Sequence, residues 1–252
     1  MNRLFLEKAS RDAGNHILPL FGKIRKAKAK TFKGDLLTSA DLLADKVLKQ
    51  HIRKAYPKDH ILSEEGKGRD LDHDRLWILD PLDGTRNFVT GVPTFGVMIA
   101  FAKEGRVDCG AVYFPCTNEM FSAERGKGAF LDGKRIHCGN GGLHASYGCV
   151  EGVWDAKRHG KVYALQSKPL RVWFNHLVCM AACGCWVASG RRDFLVNTGL
   201  WVWDNAPISI ILEESGCKVT GFDGKPWTIR EPTLVAANPR LHRELIRNLH
   251  SK

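Results

Sequence analysis

Carboxylates gather in three short segments of this 252-residue chain, each where an apolar run begins or ends. Ser63-Glu64-Glu65-Gly66 closes one short run. Trp77-Ile78-Leu79 leads straight into Asp80-Pro81-Leu82-Asp83-Gly84-Thr85, and Trp203-Asp204 opens a third segment with helical spacing. Hard oxygen donors suit Mg²⁺, which keeps several waters and is usually shared between a few carboxylates and a substrate phosphate. A proline-stiffened turn brings Asp80 and Asp83 together at a strand end and aims main-chain carbonyls such as that of Leu82 inward. Left alone these carboxylates repel, and a bound cation restores both to their ionised form. Gly84 and Thr85 supply the complementary part. A helix starting there leaves its first N–H groups open to an anion, and Gly84 has no Cβ to block close approach. Metal carboxylates beside a phosphate cradle are the parts of metal-assisted phosphoryl transfer to water. Taken singly, each segment has a plainer reading: a solvated turn at Glu64-Glu65, an ordinary loop at 80–84, a helix N-cap at Asp204.

The elements that must position these segments follow from periodicity. Leu4, Phe5, Ala9, Ala13, Ile17 and Leu20 predict an amphipathic helix ending near Gly22. Thr38, three residues before Asp41, resembles a capping box. Behind it Leu42, Leu43, Val47, Leu48 and Ile52 form the stripe of a second helix closed by Pro57. Strands are predicted over 60–63, 75–79, 95–102, 107–114 and 119–123, with hairpin-type turns between the later ones. Beyond residue 140 the pattern alternates, with strands near 145–150, 170–174, 193–196, 217–220 and 233–237. Helices are predicted near 174–188 and 205–215 and after Asn238-Pro239. The change of pattern at Gly139-Asn140-Gly141-Gly142 divides the chain into an N-terminal half, 1–140, with the metal and phosphate motif, and a C-terminal half, 141–252, that completes the site. The fold class is layered α/β with two sheets.

Composition narrows the function classes. No apolar stretch approaches the roughly 20 residues a bilayer span needs, and charges interrupt the N-terminal segment, so neither a membrane helix nor a signal peptide is expected. A cytoplasmic protein is the expectation. The eight cysteines do not suggest a disulfide framework in a chain of this length. His176, Cys179, Cys183 and Cys185 lack the spacing of a zinc site and are read as residues of a buried helix. The net charge of +11 implies an anionic partner. Lys23, Arg25, Lys26, Lys28, Lys30 and Lys33 crowd one segment between the first two helices. This is either a solvated surface or a region that attracts anionic substrate. No nucleic-acid-binding module or interleaved aromatics accompany it, so nucleic acid remains possible as a partner without being favoured.

Asp80-Pro81-Leu82-Asp83-Gly84-Thr85-Arg86-Asn87-Phe88, with Glu64-Glu65 upstream and Trp203-Asp204 and Glu213-Glu214-Ser215-Gly216 downstream, resembles the inositol monophosphatase superfamily. The resemblance extends to the block 91–102, the segment 121–129 and the turn 131–134. It implies an α-β-α-β-α sandwich, often a homodimer, that hydrolyses a small phosphate monoester with Mg²⁺ as cofactor. Its pattern makes Glu64, Asp80, the Leu82 carbonyl, Asp83 and Asp204 metal ligands, with Glu65 behind them. Thr85 would orient the attacking water, held in turn by Asp41, so that Thr85, Asp41 and Glu64 form the catalytic set. Gly84 and Thr85 N–H groups would hold the phosphate, and the basic segment near Lys33 corresponds to the family's mobile segment beside the active site. Asp204 and Asn197, the latter seven residues earlier, would meet the substrate. Asn197 stands where inositol-specific members carry Glu. An amide cannot pair with an ammonium, which weakens an amino-alcohol substrate and leaves polyols and sugars open. Histidinol phosphate, fructose 1,6-bisphosphate and 3′-phosphoadenosine nucleotides are alternative substrates of the same chemistry. A nucleic-acid or protein-binding regulator reusing the fold is the non-enzymatic alternative.

Overall fold

The computed structural model describes residues 2–24, 27–29, 36–152, 155–167 and 170–250. Arg25, Lys26, Lys30 and Lys33 of the basic segment lie outside the described residues. Helix α1 (Arg3–Ile17) starts where the Asn2 side chain accepts from the Leu4 N–H, and it buries Leu6, Ala9, Ala13 and Ile17. Two-residue strands β1 (Lys28–Ala29) and β2 (Leu36–Leu37) pair antiparallel before α2 (Ser39–Ala55). The capping box at the start of α2 forms: Thr38 Oγ accepts from the Ala40 N–H, and Asp41 Oδ2 accepts from the Thr38 N–H at 2.7 Å.

A seven-stranded sheet follows, from β3 (His60–Ser63) and β4 (Arg75–Asp83) through β5 (Gly96–Lys103), β6 (Arg106–Phe114), β7 (Glu119–Glu124), β8 (Gly128–Leu131) and β9 (Lys134–Ile136), in that spatial order. Only the β3–β4 pair is parallel. The short helix α3 (Thr85–Thr90) lies between β4 and β5. The second sheet is five-stranded and mixed. It contains β10 (Tyr147–Glu151), β11 (Trp173–Asn175), β12 (Phe194–Asn197), β13 (Lys218–Thr220) and β14 (Leu234–Ala237) in the order β11-β10-β12-β14-β13. Around it run α4 (Ala156–Ala164), α5 (Met180–Ala188), α6 (Val202–Glu214) and α7 (Pro239–His250).

Strand alternation sorts the apolar residues into layers. Trp77, Leu79, Val97, Ile99 and Phe101 face α1 and α2. Their neighbours Leu76, Ile78, Met98 and Ala100 face the opposite way, onto α5, α6 and Cys149, Leu195 and Ala236 of the second sheet. The far face of that sheet, with Val150, Phe194, Val196 and Val235, packs on Val162 of α4 and Leu241, Leu245 and Leu249 of α7. The result is the α-β-α-β-α sandwich.

Two elements differ from their sequence reading. The helix expected over 174–188 is α5 alone; Trp173–Asn175 is an edge strand beside β10. His176 is therefore off the cysteine helix, and all eight cysteines are free thiols. Helix α6 starts at Val202, earlier than expected, and places Pro207 inside the helix rather than in its first turn. The ring removes one i→i−4 hydrogen bond. At that point α6 crosses β6 so closely that a Cβ on Gly110 would lie 2.5 Å from the Pro207 carbonyl oxygen and 2.6 Å from Ile210 Cγ2. Because α6 carries Asp204, this contact sets the depth of the site. Gly110→Ala should destabilise the protein by about 1–3 kcal/mol through overpacking, read as a lower urea midpoint. An unchanged midpoint would mean that α6 can withdraw freely.

Candidate metal and phosphate site

The site is built at the end of β4. In a regular strand, residues three apart point to opposite faces. Here Asp80 pairs with Met98 and Asp83 with Gly96, three steps on β4 against two on β5, and this bulge brings the two carboxylates to one side. Glu64 follows β3, whose Ser63 is registered with Leu79, and the Glu64 N–H donates to the Leu79 carbonyl at 3.1 Å. Glu64 thus stands beside Asp80. Ser63 Oγ anchors this strand end to α2 by donating to Asp45 Oδ1 at 2.5 Å. The third Asp arrives from α6, whose first turn it closes: Asp204 Oδ2 accepts the Trp201 N–H at 2.9 Å. It sits at the third helical position rather than at the cap.

Asp80, Asp83 and Asp204 each offer an oxygen within 4.8 Å of the other two. Burial, reinforced by the charges of Glu64, Asp83 and Asp204, pushes the Asp80 carboxyl well above its ordinary value. Burial and the charges of Glu64 and Asp83 do the same to Asp204. Burial raises Asp83 to about 6, against the lowering effect of donors from Cys179, Ala181 and Met180. These donors belong to the start of α5, with the Ala181 N–H at 2.7 Å and Cys179 Sγ at 2.9 Å from Asp83 Oδ2. An all-oxygen set in which burial and neighbouring charges both oppose ionisation fits a hard divalent cation, which would reverse each upward shift.

Beside it, Gly84 caps α3 at φ +86°, with its missing Cβ directed at the Thr94 carbonyl. The first N–H groups of α3 have no intrahelical acceptor. Thr85 Oγ lies 2.9 Å from both Asp41 Oδ1 and the Leu82 carbonyl, while Asp41 Oδ2 is taken by Thr38. A cleft of about 380 Å³ joins these parts, lined by Glu64, Asp80, Leu82, Asp83, Gly84, Thr85, Arg86 and Asp204 and also by Leu36, Gly152 and Val178.

One residue falls otherwise than the sequence reading placed it. Asn197 is fully buried and absent from the cleft lining. Its Nδ2 donates to Asn205 Oδ1 and the Pro232 carbonyl, and its Oδ1 accepts the Gly199 N–H, so its amide is committed to the second sheet's own frame and not to a substrate. Glu65, read as standing behind the ligands, is outside the lining. Conversely, Glu151 was missed. This buried acid ends β10, and its Oε1 accepts the N–H groups of Leu177 at 2.5 Å and Val178 at 2.9 Å. The available signal was the one that marked Asp80, a carboxylate closing an apolar strand.

With this geometry the family can be stated. The inositol monophosphatase family model matches residues 3–252, and the chain belongs to that family. It is 35% identical over 252 residues to the fructose-1,6-bisphosphatase/inositol-1-monophosphatase of Thermotoga maritima, covering 98% of this chain and 95% of that one. It is 34% identical to the Nus factor SuhB of Haemophilus influenzae, over 96% and 93% of the two chains. Among solved structures, the Thermotoga maritima IMPase superposes with a TM-score of 0.89 at 33% identity, over 99% and 97% of the chains.

Burial raises Glu151 to about 7, against the lowering effect of the Leu177 and Val178 N–H groups. A folded-state value above the ordinary one means that its stabilising contribution is full below about pH 4 and is lost as pH rises through 7. Relative to Glu151→Gln, the metal-free wild type should lose on the order of 1–3 kcal/mol between about pH 5 and pH 8. Urea unfolding of both proteins at the two pH values measures this, and a pH-independent difference contradicts it.

Proposed function

We propose that the protein is a Mg²⁺-dependent phosphatase acting on a small phosphate monoester of a polyol or sugar. The observation that carries this reading is the Asp80–Asp83–Asp204 cluster, with oxygens within 4.8 Å of one another, next to the glycine-capped start of α3. The cation would be held by Glu64, Asp80, the Leu82 carbonyl, Asp83 and Asp204. Bound there, it supplies an acidified water and neutralises charge developing on the ester. The chain's own residues do the rest. The N–H groups of Gly84 and Thr85 bind the phosphate oxygens at a helix N-terminus. Asp41, fixed by Thr38, accepts the hydrogen bond of the Thr85 hydroxyl, so the Thr85 oxygen presents its lone pairs to a water and orients it towards phosphorus. Asp204 lies within reach of the ester oxygen side of the cleft.

The Thermotoga maritima relative, named for both fructose-1,6-bisphosphate and inositol-1-phosphate hydrolysis, supports a polyol or sugar phosphate, and histidinol phosphate or a 3′-phosphoadenosine nucleotide would use the same site. Among the described residues no helix is long and apolar enough to cross a membrane. A cytoplasmic homodimer is the form we propose. The net charge of +11 and the relatives named Nus factor SuhB favour a second reading, a regulatory role in binding nucleic acid or protein alongside catalysis. Salt-dependent RNA retention by the Asp83→Asn protein tests it.

Phosphate release from a panel of inositol, histidinol, fructose and adenosine phosphates tests the catalytic reading. Activity should require Mg²⁺, and Asp83→Asn should abolish it while the circular dichroism spectrum stays unchanged; near-normal turnover in the variant at moderate Mg²⁺ refutes the metal assignment. Thr85→Ala and Asp41→Asn should each lower kcat more than they raise KM, because positioning water matters most in the transition state. Their effects should not multiply. If the double variant loses the product of the single effects, Thr85 and Asp41 do not act as a unit.

A further inference from the structure

Val178 adopts φ +54°, and among the described residues it is the single β-branched residue with positive φ. Such a conformation is a true outlier for valine, and an outlier held by its surroundings points to function. The surroundings hold it from three elements. Glu151 Oε1, at the end of β10, accepts the N–H groups on either side of the Leu177–Val178 step. Asn87 of α3 donates one Nδ2 hydrogen to the Leu177 carbonyl at 2.9 Å and the other to Thr94 at 2.8 Å. The next residue, Cys179, donates its thiol to Asp83 Oδ2. A linker needing only this backbone shape would be served without strain by glycine.

The strain keeps an isopropyl group at the cleft. Val178 is 47% exposed and lines the same cleft as Gly84, Thr85 and Arg86. Next to it Gly152, at φ +116°, can carry no side chain, since a Cβ there would lie 2.6 Å from Thr198 Oγ1 and 2.7 Å from Asn197 Oδ1. A glycine and one exposed branched side chain thus line the cleft that contains the phosphate cradle. We infer that Val178 sets the size limit on the alcohol part of the substrate, and that Glu151 is the positioning residue that holds it there. The inference rests on the phosphatase reading and adds the residue that chooses among its esters.

The test compares kcat/KM, with Mg²⁺, on glycerol 2-phosphate as a small ester and on inositol 1-phosphate as a ring ester. Loss of methyl groups from a partly open wall is worth about three- to tenfold in relative efficiency, at the low end of what a methylene contributes in a closed pocket. Val178→Ala should shift the ring-to-small ratio upward by about that factor, and Val178→Phe should shift it downward. Glu151→Ala should move the ratio in the same direction as Val178→Ala. Glu151→Gln, which keeps one acceptor oxygen, should restore it towards wild type. Val178→Gly should also raise the unfolding temperature by relieving the strain, a readout independent of catalysis. Wild-type hydrolysis with a ratio unmoved in both Val178→Ala and Val178→Phe overturns this inference alone. Equal losses on both substrates in Glu151→Ala would assign Glu151 to Asp83 or to folding instead. No Mg²⁺-dependent hydrolysis of any panel ester by the wild type would end the phosphatase reading and this inference with it.

Discussion

Three carboxylates whose oxygens lie within 4.8 Å of one another, at the bottom of a cleft, set the terms for everything around them. At an effective dielectric constant of about 20, two unit charges at that spacing repel by roughly 3.5 kcal/mol, and burial adds to the cost of ionising them. A flexible framework would relieve this by letting the side chains swing apart. The fold prevents that by fixing each Asp through one oxygen: Asp80 Oδ1 accepts the Leu82 N–H, Asp83 Oδ2 accepts from the start of α5, and Asp204 Oδ2 accepts the Trp201 N–H. The repulsion is thereby preorganised as affinity for a cation.

Helix N-termini are the means by which that is done. The starts of α3, α5 and α6 converge on the cleft from both sheets, and each brings N–H groups without intrahelical acceptors. Those of α5 and α6 meet protein carboxylates, whereas α3 begins at a glycine and leaves its end to the cleft. The same physical feature thus anchors two of the clustered acids and, on the proposed reading, would receive an anion at the third helix start. Helix α2 contributes from behind, through Asp41 to Thr85 and through Asp45 to Ser63. Its capping box at Thr38 therefore serves the site as well as the helix.

Much of this was legible in the sequence because the signals were local. The Thr38–Asp41 capping box and the strand bounds at 60–63 depend on neighbouring residues, and the structure places them where spacing does, whereas β4 runs on to Asp83 as a bulged strand where a turn from Asp80 was expected. What escaped depends on tertiary contacts. The apolar run at 174–188 reads as one helix, yet Glu151 binds the Leu177 and Val178 N–H groups and α5 cannot begin before Met180. Asn197 has the right offset from Asp204, but alternation along β12 and its bonds to Asn205 and Pro232 turn it away from the cleft. Periodicity gives no information about which face a strand end presents when the partner is 35 residues distant.

Glu151 shows how two buried acids in one region come to different ends. The oxygens of Asp80 and Asp204 are drawn together by backbone anchors on separate elements, so their neighbours are other carboxylates. Glu151 instead receives two N–H groups and a thiol from Cys183 on its Oε1, and these donors stabilise its charge against burial. Asp83 combines the two situations: the Ala181 N–H and the Cys179 thiol reach its Oδ2, yet it also lies within the carboxylate cluster. Glu151 sits one residue before Gly152 and binds the N–H of Val178, two residues that line the cleft, while it is itself absent from the lining. On the proposed reading, phosphate chemistry and leaving-group selection would rest on different carboxylates.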